Sequence, residues 1–134
     1  MRNILIFIES RFPVARKRIK ETVNRFLDQE KIKSKTEVGV SIVGDRKMHS
    51  LNKQYRDQDE TTSVLAFALE ELHRSERKSE TPGFIYPSDG VLRLGDVIIS
   101  YPQAVERAAE DEMLVDDKID ELLIHGLNNL VGKV

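Results

Sequence analysis

The chain has 134 residues, 40% hydrophobic and 33% charged, with a net charge of −2 and no cysteine. That is enough chain for one compact domain with a real core and too little for two. It excludes a disulfide framework, a thiolate metal site and a cysteine nucleophile, so any metal chemistry must rest on His, Asp, Glu or Asn. Charge is split along the chain: through residue 56, Lys and Arg number 14 against 6 Asp and Glu, and from residue 57 onward 7 against 17.

The opening MRNILIFIES carries a short apolar run that Glu9 interrupts, with no small-residue cleavage site after it. No later run approaches the roughly 18 apolar residues of a membrane span. A cytoplasmic chain with no membrane association is the expectation. Residues 3–8, NILIFI, read as a strand, and Val14 to about Gln29 places Ala15, Ile19, Val23, Phe26 and Leu27 on one helical face. Around that apolar stripe stand Arg16, Lys17, Arg18, Lys20 and Arg25. Such a helix either presents a phosphate-binding face, with Arg16, Lys17 and Lys20 as the nucleic-acid contacts, or is a solvated helix paired with the acidic half. Charge alone favours the second reading.

Val38–Val43 predicts a second strand, and Asp45 a capped short helix through about Tyr55, since its carboxylate can accept from the unpaired first-turn amides. Val64–Leu69 is a third apolar strand. The polar stretch HRSERKSETPGFIYPSDG then reads as a loop over about 72–90, a lid or a linker. Val91–Ile99 predicts a fourth strand. SYPQ at 100–103 can start a helix, with Ser100 as cap, Pro102 in the first turn and Gln103 closing a capping box. A last helix from about Asp116 carries Ile119, Leu122, Leu123, Gly126, Leu127, Leu130 and Val131 at helical spacing, with Ile124 extending the apolar surface. The expected fold is α/β (α+β): a single mixed four-stranded sheet with helices packed on it and a central C-terminal helix, all of 1–134 forming one domain.

Within ELLIHGLNNLVGKV, His125 and Asn129 are one helical turn apart and can face the same object. Two histidines so placed would define two corners of a zinc tetrahedron. Asparagine offers only a neutral amide oxygen, better suited to hard cations. On spacing alone, a lone histidine in an apolar helix is more often a hydrogen-bonded core residue.

Three stretches resemble the YbeY family of rRNA maturation factors, which are metal-dependent, single-strand-specific endoribonucleases. LNKQYRDQDETTSVLAF is similar to the family's L-N-x-x-Y-R-x-x-D-x-P-T-D-V-L-S-F, keeping Leu51, Asn52, Tyr55, Arg56, Asp59, Thr62, Val64, Leu65 and Phe67. LRLGDVIIS resembles the L-G-D-[IV]-x-[IL]-S strand through Leu94, Gly95, Asp96, Val97, Ile99 and Ser100. IHGLNNLVG resembles the start of H-G-x-x-H-L-x-G-Y-D-H through His125, Gly126, Leu130 and Gly132.

The resemblance implies a zinc cofactor, with His125 as a ligand and Asn129 in the second ligand's place. It also implies catalytic roles for Arg56 and His125. Arg56 would grip phosphate oxygens, against the alternative of an ion pair with Asp57, Asp59 or another carboxylate. The implied partners are single-stranded RNA or rRNA, and the ribosome or a ribosomal protein. Asp96 would orient a ligand or stabilise a turn after Gly95.

Departures from the family pattern cluster at the chemistry. Asn129 replaces the second histidine, and the chain stops one residue before the third would occur, inside the metal motif. Ser63 replaces an aspartate and Ala66 a serine. His49 and His73 match no family ligand and read as surface residues. The readings in play are a zinc-dependent endoribonuclease of rRNA maturation impaired at its metal, a non-catalytic relative that binds RNA or a ribosomal partner, and a structural scaffold.

Overall fold

The structure is a computed structural model that describes residues 2–69 and 90–133. Most of the expected 72–90 loop and His73 lie outside the described residues. In chain order the elements are β1 (Arg2–Ile8), α1 (Arg16–Gln29), β2 (Thr36–Val43), α2 (Asp45–Arg56), β3 (Val64–Ala68), β4 (Leu92–Ser100), α3 (Tyr101–Glu110) and α4 (Val115–Leu130). The strands form one mixed sheet in the order β1-β2-β4-β3, with β1, β2 and β4 parallel and β3 antiparallel to β4. The expected fold class is therefore observed.

Alternation along the strands sends two different sets of side chains to the two faces. Val38, Val40 and Ile42 of β2, with Leu92, Leu94, Val97 and Ile99 of β4, form one core with Ile19, Val23 and Leu27 of α1, Ala104 of α3 and Ile119, Leu123 and Leu127 of α4. Among the described residues the opposite face is covered by α2, where Met48 packs with Val43, Leu65, Phe67 and Ile98. Toward β1 that face is open, and Leu5 and Phe7 are 52% and 55% exposed.

One bulge makes this partition possible. Glu37 pairs with Arg93 and Val38 with Gly95, so Leu94 is an extra residue in β4. The inserted residue shifts the two-residue period. Before it Leu92 and Leu94 face the three-helix core, and after it Val97 and Ile99 do. Without the bulge, Asp96 would point into that core. Gly95 takes φ 126°, and a Cβ there would collide with the Phe67 carbonyl, so glycine is required.

The helix starts differ in part from expectation. Gly44, not Asp45, is the N-cap of α2, and Asp45 sits in its first turn. The Asp45 carboxylate instead accepts from the Ser100 hydroxyl (2.8 Å) and the Thr61 hydroxyl (3.1 Å). Ser100 caps α3 as expected, accepting from the Gln103 amide at 3.3 Å. The capping box does not close, because the Ser100 amide already donates to the Ser63 carbonyl, while the Gln103 side chain donates to Asp45 and Glu106.

The last helix is central as expected, packing on α1, α3, β3 and β4. Its Lys118 is buried, and the ammonium donates to Asp111 and Glu121, which keep it charged and hold the α3–α4 turn against the helix. No helix among the described residues is long and apolar enough to cross a membrane.

Candidate functional site

Arg56 closes α2, whose chain then turns through Asp57 in a left-handed conformation. The guanidinium donates to the Ala66 carbonyl at 2.8 Å and lies 4.7 Å from the centroid of the Phe67 ring. Ser63 gives its carbonyl to the Ser100 amide of β4, so carbonyls of alternate β3 residues, Ala66 among them, point away from the sheet. Arg56 therefore sits at the outer rim of β3, with an aromatic face and a backbone acceptor as neighbours. Asp59, one of the ion-pair partners considered for Arg56, is engaged by His49 at 2.6 Å and approached by Lys53 at 4.0 Å. The His49 hydrogen bond, with help from Lys53, holds the Asp59 carboxyl below its ordinary range.

Across β3, α4 packs on the other face of the sheet. Gly126 is pressed against the Val97 side chain, where a Cβ would clash, and this close approach sets the helix down on β4. His125 and Asn129, one turn apart on the outer side, are both exposed. The hydrogen-bonded core histidine expected from an apolar helix is not found: His125 makes no hydrogen bond or ion pair with the described residues. Arg56 and His125 thus lie on helices that pack on opposite faces of the sheet.

The donor set does not fit zinc. His125 supplies one imidazole and Asn129 one neutral amide, and among the described residues no group of three His, Asp or Glu could hold a metal ion.

On the basic helix α1, Arg18 is drawn into ion pairs with Asp117 and Asp120 of α4 (2.7 and 2.8 Å), which raise its pKa. Arg16 donates to the Ile6 carbonyl at 2.8 Å. Only Lys17 and Lys20 of the candidate nucleic-acid contacts stand exposed without such bonds to described residues. They lie on a different element from Arg56 and are not brought together with it.

Asp96 lies mid-strand, not at a cap or a turn. It stands beside Gly39 of β2, where any side chain would meet its carboxylate. Partial burial, with the nearby Glu37 carboxylate, pushes its pKa up. Sequence reasoning gave no role to Tyr55 and Phe67, which share a groove with Asp96. Their retention in one motif with Arg56 was the only sign.

A family model described as Endoribonuclease YbeY matches residues 8–132. The chain belongs to the YbeY family. It is 35% identical over 114 residues to the Endoribonuclease YbeY of Bacillus thuringiensis (strain Al Hakam), covering 85% of this chain and 69% of that relative. The same figures hold for the Endoribonuclease YbeY of Bacillus cereus (strain AH187). The solution structure of TM1509 from Thermotoga maritima shares the fold, with TM-score 0.60 at 23% identity, over 96% of this chain and 72% of that one.

Proposed function

We propose that this YbeY-family chain engages single-stranded RNA, with rRNA as the substrate class, and that its hydrolytic centre is weakened at the metal. Asn129 carries this reading. It stands where the family motif has a second histidine, on the same exposed helical side as His125. An amide oxygen is too weak a donor to replace an imidazole on zinc.

Arg56 is the phosphate contact in this reading. Its guanidinium donates to the Ala66 carbonyl at the rim of β3, and a guanidinium fork makes stronger, charge-assisted bonds to phosphate oxygens than to a neutral carbonyl. Lys17 and Lys20 add a general attraction for the backbone of a longer strand. The compartment is the cytoplasm, and the ribosome or a ribosomal protein is the assembly partner, on the family resemblance.

Elemental analysis of the purified chain is the first test. The expected result is zinc well below one per chain, rising in Asn129→His and falling again when His125→Ala is added. Near-stoichiometric zinc in the unaltered chain would overturn the weakened-centre reading and restore a competent endoribonuclease. Affinity for a single-stranded RNA should fall steeply with salt and drop in Arg56→Ala. Undetectable or salt-indifferent binding would leave a scaffold.

A further inference from the structure

On the face of the sheet that α2 covers, a groove of about 190 Å³ runs between the helix and β4, lined by Leu51, Tyr55, Phe67, Asp96 and Ile98. Its walls are apolar except for one carboxylate. Tyr55 is 47% exposed and meets the Phe67 ring edge-on at 5.2 Å, which leaves an aromatic face toward solvent. The Arg56 guanidinium lies on the same Phe67 ring. Gly39 carries no side chain, and the Asp96 carboxylate lies over its backbone at the edge of the groove.

An aromatic surface, a slot of about one nucleobase and a single acceptor form a specific chemical pattern. Aromatic rings bind any base by stacking, worth about 1–3 kcal/mol per base. A carboxylate accepts from exocyclic amino groups, as in readout of cytosine N4. Uracil has no amino group, and its one base-edge donor, N3–H, is flanked by two carbonyl oxygens that a carboxylate repels. The Arg56 guanidinium, next to the stacking surface, is where the phosphate of the same nucleotide would lie.

We infer that this groove binds one base of a single-stranded RNA, with Tyr55 as the stacking residue and Asp96 as the specificity-determining acceptor that selects amino-bearing bases over uracil. The inference rests on the RNA-engaging reading above and gives it a base preference. The partial burial that raises the Asp96 pKa agrees with a carboxylate shielded enough to discriminate, since a fully hydrated acceptor separates bases poorly.

Fluorescence anisotropy with 5′-labelled oligocytidylate, oligoadenylate and oligouridylate of equal length tests it. The full chain should bind the cytidine and adenosine strands about 10–100-fold more tightly than the uridine strand, the weight of roughly one hydrogen bond to a charged group. In Asp96→Asn, whose amide can donate as well as accept, that difference should shrink toward unity. Tyr55→Ala should weaken all three strands severalfold, and Tyr55→Phe should restore them, because only the ring stacks.

Equal affinity for the three strands, or affinity unchanged in Tyr55→Ala, would overturn the groove while leaving RNA binding elsewhere intact. No binding of any strand would overturn both this inference and the reading beneath it. A circular-dichroism melt of each variant separates lost contacts from lost fold.

Discussion

The two faces of the sheet carry opposite assignments. One is sealed by α1, α3 and α4 over a continuous apolar layer. The other, among the described residues, is covered by α2 and leaves Leu5, Phe7, Tyr55 and Asp96 in reach of solvent. The sealed face holds most of the buried apolar side chains, and the partly covered face carries the proposed base-binding groove. Substitutions should therefore separate into those that unfold the chain and those that change what it binds.

The largest effect is expected at the sealed face. Leu127→Ala removes a fully buried side chain and should cost about 3 kcal/mol in urea denaturation. Tyr55→Ala, on the other face, should cost about 1 kcal/mol or less. Similar losses at both positions would break the comparison.

Next comes the bulge that divides the faces. Gly95→Ala forces a Cβ against the Phe67 carbonyl at a positive φ and should cost about 2 kcal/mol, seen as a lower denaturation midpoint. Ser100→Ala removes both the cap of α3 and a donor to Asp45, for about 1 kcal/mol by the same measurement.

The smallest effect depends on pH. The Asp96 carboxyl is pushed above its ordinary range, so it binds its proton more tightly folded than unfolded. Its contribution is present below the unfolded pKa and is lost as pH rises through the folded one. Asp96→Asn should therefore stabilise the chain at neutral pH relative to the unaltered protein, with the gain disappearing in acid. A gain independent of pH would assign the effect to packing instead.

Much of this was legible in the sequence, for identifiable reasons. Strands and helices were readable because period and apolar content agree at each of them, and Ser100 could be named as a cap because Pro102 and Gln103 follow at fixed offsets. Asp45 misled because its local position suits a cap, while its actual partners, Ser100 and Thr61, are distant in sequence and come together only in the fold. His125 misled in the same way: an apolar helix suggests a buried imidazole, yet this residue sits on the outer side, opposite Gly126, which packs against Val97.

The family motifs named Arg56 and Asp96 without their surroundings. The rim of β3, the Phe67 ring and the seat of the Asp96 carboxylate on Gly39 depend on strand order and on a one-residue bulge, neither of which local periodicity encodes.

Arg16 and Arg56 have a consequence for the protein's life in a crowded solution. Each donates to a carbonyl on the unpaired side of an edge strand, Ile6 in β1 and Ala66 in β3. Bare strand edges invite other chains to dock and propagate into fibrils, and NILIFI, rich in β-branched and aromatic residues, would be a strong template. Here both margins hold a cation across the hydrogen-bonding positions that an intruding strand needs. Among the described residues, each outer strand of the sheet thus carries a positive charge on its margin.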